Sequence, residues 1–282
     1  MRKQKYSIPL IIAAVLWLAA LSAATVYDLE ISLAIADEGS VFGRILEIFG
    51  EPPAILFSSF NFSLMLAHFL KKDKRKPKDI IFAAICLILS VGTVIFTVFQ
   101  TSDYLAKWLT HTDSAPLAIK LAVSVSIAAL ILFVGLRVPK DTADRYFETA
   151  CRCAAVAVLT LAVIWAFKLL WGRVRFRQLE SLEDFTSWYL PSGFNGYFSF
   201  PSGHTANATV IFTTTYYFGF IPEKYEKIKP LLYTILAVWI VLVAFSRVII
   251  GAHYLSDVLF GGAITFAIVS FLKPKTLHKK EN

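Results

Sequence analysis

Cysteine is scarce in this chain. Three of its 282 residues are cysteines, Cys86, Cys151 and Cys153. They lie in or at the ends of apolar runs with no histidine at a matching spacing, which excludes a disulfide framework and a zinc site. They read as small core residues. Charge is lacking over long stretches. Hydrophobic residues make up 57% of the chain, the mean hydropathy is +0.63, and the apolar residues fall in runs of about twenty, which excludes a soluble domain. A continuous basic face is missing as well. The formal net charge is +8, but the lysines and arginines sit in short clusters between the apolar runs, where lipid headgroups and membrane topology account for them and nucleic acid does not.

What is present is a succession of apolar segments, which predicts an all-α fold: a polytopic membrane helical bundle of about eight transmembrane helices. Met1 to Lys5 is basic, and the run from about Ile8 to Val26 ends in small residues as a secretory signal peptide does, although its length favours a retained first helix. Asp28 to Glu51 turns acidic and polar and reads as an external loop, with a short amphipathic piece at Val41 to Phe49 lying along the surface. Further spans are expected at about Pro53 to Leu70, Ile80 to Gln100, Pro116 to Leu136, Phe147 to Leu170, Ser202 to Phe220, Leu231 to Phe245 and Tyr254 to Leu272. The densest positive cluster, Lys71 to Lys76, marks a cytoplasmic loop. The loop Glu223 to Lys229 and the tail with Lys273, Lys275, Lys279 and Lys280 then fall on the same side, so both termini are expected inside.

That topology places Arg173, Arg175 and Arg177 on the outer side, against the positive-inside bias. The loop behind them carries Phe185, Trp188, Tyr189, Phe194, Tyr197, Phe198 and Phe200, which fits an aromatic belt at the headgroup level or a lipid-access rim. Three clusters share this face. Lys168 and Arg175 are seven residues apart, two turns along one helix face if the helix continues that far. Phe200-Pro201-Ser202-Gly203-His204-Thr205 is a turn that opens a helix: Ser202 can cap it, and Gly203 lets a ligand approach unpaired amides, a phosphate-sized anion site beside His204. Last come Ser246-Arg247, five residues, His253, three residues, and Asp257. His253 and Asp257 are one helical turn apart, so the carboxylate can hold one imidazole nitrogen and leave the other nucleophilic. Arg247, at the end of an apolar run, is costly without a partner or a task. Singly, each cluster has a plain structural reading, such as a snorkelling lysine or a capped helix start. Jointly they meet at one membrane face.

In order and spacing these residues resemble the three-part signature of the type 2 phosphatidic acid phosphatase superfamily, which also contains the vanadium haloperoxidases. The match runs from about Lys168 to Asp257. The first half of the chain has no motif of this kind. The resemblance implies a catalytic core over residues 147–272, following N-terminal helices over 1–146 and preceding a basic cytoplasmic tail over 273–282. It also implies that His253 attacks phosphorus, that Asp257 orients it, and that His204 protonates the leaving oxygen and then activates water. Lys168, Arg175, Arg247, the Ser202 hydroxyl and the Gly203 amide would hold the phosphate oxygens. Phe176 stands where the family usually has proline, so the helix end is less fixed and either Arg175 or Arg173 is open to face the phosphate.

The implied activity is a membrane lipid phosphatase of the plasma (inner) membrane, with its site on the extracytoplasmic face. It needs no metal or other cofactor, since no carboxylate cluster stands ready to hold magnesium near the histidines. The implied partners are the bilayer and a lipid phosphate or pyrophosphate: undecaprenyl pyrophosphate, phosphatidic acid, phosphatidylglycerol phosphate or a lipid A phosphate. Two alternatives stay open. One is a phosphotransferase using the same phosphohistidine; the other is a transporter that binds phosphate without cleaving it, which would leave the pairing of His253 with Asp257 without a purpose.

Overall fold

The computed structural model describes residues 7–274. The basic Met1 to Lys5 and the tail residues Lys275, Lys279 and Lys280 lie outside the described residues. The helices are α1 (Ser7–Ile35), α2 (Val41–Phe49), α3 (Pro52–Leu70), α4 (Pro77–Leu109), α5 (Leu117–Arg137), α6 (Lys140–Trp171), α7 (Gly203–Val210), α8 (Lys229–Ile249) and α9 (Leu255–Leu272). Among the described residues, seven helical stretches are long and apolar enough to cross a membrane, with Val41–Leu70 counted once although it comprises α2 and α3. The chain is a multi-pass membrane protein.

The span expected at Ser202 to Phe220 is not one α-helix. α7 gives way to a 3-10 helix over Ile211–Phe220. Thr213 and Thr214 there bond back to the carbonyls of Val210 and Ile211 at 2.7 and 2.8 Å, which satisfies their hydroxyls within the bundle. The stretch still crosses the bundle. Eight residues at ~1.5 Å and ten at ~2.0 Å reach ~32 Å, against a hydrocarbon core of ~30 Å. Its start lies beside Lys168, near the end of α6. Tyr216 bonds to Val269 O at 2.5 Å, and Phe220 meets Tyr146, near the start of α6.

Two expectations for the first half need correction. The expected end near Val26 is where α1 kinks, at the non-helical Tyr27, but the stretch after it is not loop: a second helical segment runs on to Ile35 and carries Asp28 into the interior, where that residue is 3% exposed. α2 keeps Val41, Phe42, Ile45 and Phe49 exposed, but the face it buries is not the one its pattern suggests. Ser40 caps it, its side chain accepting from Gly43 N at 3.3 Å, and its residues Leu46, Glu47 and Ile48 are buried. The amphipathicity is real, but the polar residue Glu47 faces inward, toward arginines. α3 stands at the centre, packed by α4, α5, α6 and α7. Its contact with α4 is closed by a reciprocal pair, Ser59 Oγ to Ser90 O at 2.8 Å and Ser90 Oγ to Ser59 O at 3.0 Å, small polar residues that let two membrane helices approach closely.

Candidate active site

The three sequence clusters meet at one end of the bundle, where α6 ends, α7 begins and the α8–α9 connection turns. α6 delivers Lys168, which is 7% exposed and donates to Phe198 O at 2.5 Å. The helix then stops at Gly172 in the left-handed conformation, φ 56°. A Cβ there would lie 2.0 Å from Gly193 O, so glycine is required both for the cap and for the returning aromatic loop. Asn195 Nδ2 donates to Gly172 O at 2.6 Å, which fixes the reversal.

That reversal settles which arginine is free. Arg173 is fully buried and donates to Thr186 O at 2.8 Å, Ser256 Oγ at 2.8 Å, Asp257 Oδ1 at 2.7 Å and Asp28 Oδ2 at 3.0 Å, with its guanidinium 4.0 Å from the Tyr254 ring centroid. Burial works against its charge, but Asp257 and Asp28 outweigh it and raise the pKa. Arg175 has no such company. Its Nε is buried without a hydrogen-bond partner, and burial, followed by the nearby charges of Arg177 and Arg247, pushes its pKa down. Arg173 is occupied by the frame, whereas Arg175 Nε has no partner.

The turn before α7 is held from three sides. Ser202 Oγ accepts from Thr205 N at 3.3 Å and Thr205 Oγ1 at 3.1 Å, the expected cap, while Ser202 N donates to Asp257 O at 2.9 Å. A Cβ at Gly261 would lie 2.4 Å from Ser202 O, so only glycine lets α9 press against this turn. Gly203 lies beside Lys168, an ideal Cβ on it falling 3.6 Å from Lys168 Cε. His204 turns toward the α2–α3 corner, with Nδ1 3.5 Å from Glu51 Oε1 and Nε2 3.3 Å from Glu47 O.

From the other side, α8 ends with Arg247, 2% exposed. Its Nη2 donates to Glu47 Oε1 at 3.0 Å, and its Nε and Nη1 have no partner. The following loop folds over the same residue, Ala252 N and His253 N donating to Arg247 O at 3.0 and 3.2 Å. His253 Nδ1 faces Asp257 Oδ2 at 3.5 Å, aligned by it without a closed hydrogen bond. Asp257 is held by Arg173 on one oxygen, and on the other by Ser199 Oγ at 2.5 Å and Tyr254 N at 3.0 Å. Burial drives the His253 pKa down to about 3, with Asp257 opposing and Lys168 and Arg175 adding to the fall. The imidazole is therefore neutral at neutral pH, and Nε2 has a lone pair to offer when Nδ1 carries the proton.

Every residue singled out in the sequence thus reaches this one place. Lys168, Arg175, Arg247, His253 and Asp257 are within electrostatic reach of one another, and His204 is within reach of Arg247 and His253. Three further carboxylates went unnoticed in the sequence: Asp28 on α1, Glu47 on α2 and Glu51 at the start of α3. They are 3%, 4% and 5% exposed. The available signal was acidic charge flanked by apolar residues on a short helix. Among the described residues, no three His, Cys, Asp or Glu side chains are grouped as a metal site.

The PAP2 superfamily model matches residues 149–278. Phosphatidylglycerophosphatase B of Bacillus subtilis (strain 168) is 38% identical over 85 residues, which cover 29% of this chain and 40% of the relative. The chain thus spans well under half the length of that curated relative. No solved structure matches. The stretch that brings Lys168, Arg175, Ser202, His204, Arg247, His253 and Asp257 together is the part of the chain that resembles the PAP2 superfamily.

Proposed function

We propose that the protein is a membrane lipid phosphatase that works through a phosphohistidine and takes its substrate from the extracytoplasmic leaflet. One observation carries the reading. Among the described residues, eight buried side-chain polar atoms lack a partner, and four of them are Arg175 Nε, Arg247 Nε, Arg247 Nη1 and His253 Nδ1. Unpaired cationic donors gathered beside a neutral imidazole suit a phosphoryl group, whose transfer is driven chiefly by positioning and charge stabilisation.

In this reading His253 Nε2 attacks phosphorus. The P–N bond forms as the bond to the leaving oxygen breaks, and His204 gives that oxygen a proton. Water then attacks phosphorus, the P–N bond to His253 breaks, His204 takes back a proton from that water, and inorganic phosphate leaves. Asp257 steadies the charged imidazole, while Lys168, Arg175, Arg247, Ser202 and the Gly203 amide hold the oxygens. The likeness to phosphatidylglycerophosphatase B supports a lipid phosphate and places phosphatidylglycerol phosphate first in a panel with phosphatidic acid, undecaprenyl pyrophosphate and a lipid A phosphate. Purified protein is expected to release phosphate from at least one of these with EDTA present, and orthovanadate, which takes the five-coordinate shape of the transferring group, is expected to compete. Strict dependence on added magnesium overturns the mechanism. Movement of the phosphoryl group to a second lipid without phosphate release marks a transferase.

The sidedness rests on charge. α4, α5 and α6, an odd number of crossings, separate Lys74 from the aromatic loop, and Lys71 to Lys76 is held inside by the positive-inside bias. In a C86A/C151A/C153A background, Glu183→Cys is expected to react with a membrane-impermeant thiol reagent added to spheroplasts, and Lys74→Cys is not. Both positions are exposed. The reverse pattern makes this a cytoplasmic-face phosphatase.

A further inference from the structure

Four carboxylates are buried around the site, and three have arginine partners. Asp28 and Asp257 share Arg173 at 3.0 and 2.7 Å, and Glu47 meets Arg44, Arg177 and Arg247 at 2.7, 3.4 and 3.0 Å. Glu51 differs. Asn207 Nδ2 donates to its Oε1 at 3.0 Å and Gln100 Nε2 to its Oε2 at 2.9 Å, both uncharged donors. Among the described residues no lysine or arginine forms an ion pair with it. The group that can bring it a positive charge at contact distance is His204, whose Nδ1 lies 3.5 Å from Oε1; Lys168 acts on it only from farther off.

The histidine is matched to that charge. Its other nitrogen, Nε2, lies 3.3 Å from Glu47 O, so both ring nitrogens face acceptors. A neutral imidazole donates from one nitrogen only, whereas an imidazolium donates from both. Arg247 and His253 stand near the same ring, with the Tyr104 ring centroid at 6.0 Å. Arg247, whose charge opposes an imidazolium, is itself met by Glu47. Behind Glu51 a cavity of about 10 Å³ is lined in part by Thr97, Gln100 and Thr101, room for about one water against a polar wall. A buried carboxylate with only neutral donors is expensive to keep ionised. A protonated His204 offsets part of that cost, working against its own burial and the charge of Arg247.

We propose that Glu51 is the positioning residue of the acid–base histidine: it holds His204 Nδ1 and favours the imidazolium whose Nε2 proton passes to the leaving oxygen. The inference rests on the assignment of His204 in the proposed function. The proton lost from Nε2 to the leaving oxygen is regained from the attacking water in the second step.

The test compares phosphatidic acid, whose leaving alkoxide needs a proton, with p-nitrophenyl phosphate, whose leaving phenolate hardly does. In the full-length protein, Glu51→Gln is expected to lower kcat on phosphatidic acid by about 10- to 100-fold, part of the range for acid–base catalysis, with KM changed less than about threefold and p-nitrophenyl phosphate largely spared. His204→Ala should show the same selectivity, and E51Q/H204A should be no slower than H204A. Equal loss on both substrates, or further loss in the H204A background, reduces Glu51 to a packing role and overturns the proposal. If H204A itself shows no leaving-group selectivity, the acid–base assignment fails and the role of Glu51 falls with it. Should E51Q not fold, Gln100→Ala, which loosens Glu51 but keeps its charge, is expected to give a smaller loss with the same selectivity, and an unselective loss refutes the idea.

Discussion

Replacing His253 with alanine is expected to leave a folded protein whose phosphate release falls by at least about 10³-fold, because the change removes the attacking atom itself. The fold should survive for a specific reason. Asp257, the group a missing imidazole might strand, keeps Arg173, Ser199 Oγ and Tyr254 N as partners. His253 Nδ1 makes no closed hydrogen bond that the loop depends on, and the backbone bond from His253 N to Arg247 O is independent of the side chain. Phosphate release and a thermal unfolding curve on the same preparation separate the two effects. Near wild-type turnover by H253A on a clean background would rule out the phosphohistidine.

The second large effect contrasts two arginines that sit two positions apart. Arg173→Leu removes the common partner of Asp28 and Asp257, both buried. Stranding one member of a buried ion pair typically costs about 3–5 kcal/mol, so this variant is expected to lose on the order of 10 °C in midpoint or to fail to accumulate. Arg175→Leu should do the opposite. Its Nε has no partner to lose, so the fold should hold while turnover drops by about 10²- to 10³-fold, the scale for deleting one oxyanion donor. The pair of variants is read by fluorescence-monitored size exclusion, thermal unfolding and phosphate release. A folded, inactive R173L beside an unstable R175L would exchange the two roles.

These contrasts also show what the sequence carried and what it did not. The His253–Asp257 pair was legible because four residues of chain bring the two side chains together, although His253 stands in the turn before α9 and not on it, and the Ser202 cap because capping is local chemistry; the helix supposed to join Lys168 to Arg175 ends at Trp171. Arg173 and Arg175 could not be told apart, since the choice depends on a left-handed turn at Gly172 and on a carboxylate from α1, 145 residues away in the chain. Glu47 and Glu51 were hidden for the same reason. Their partners Arg247 and Asn207 lie 200 and 156 positions away, and a charged stretch between apolar runs reads as a loop when only its neighbours are known. Hydropathy located the sixth crossing but not its backbone, because threonine and aromatic residues look equally apolar in either helix.

The link between Asp28 and Ser256 sets an order for biosynthesis. Asp28 Oδ1 accepts from Ser256 N at 3.0 Å and Asp28 Oδ2 from the Ser256 hydroxyl, partners that follow it by 228 residues. At a synthesis rate of ~5–20 residues per second, the first helix waits roughly 10 to 50 seconds in the membrane before the last one is made. Through that interval its aspartate can meet only Arg173, which itself arrives late. Neighbours such as α3 and α4 can pair as they emerge, but α1 cannot be secured until late: a ribosome that stops before α9 leaves α1 without its main packing partner.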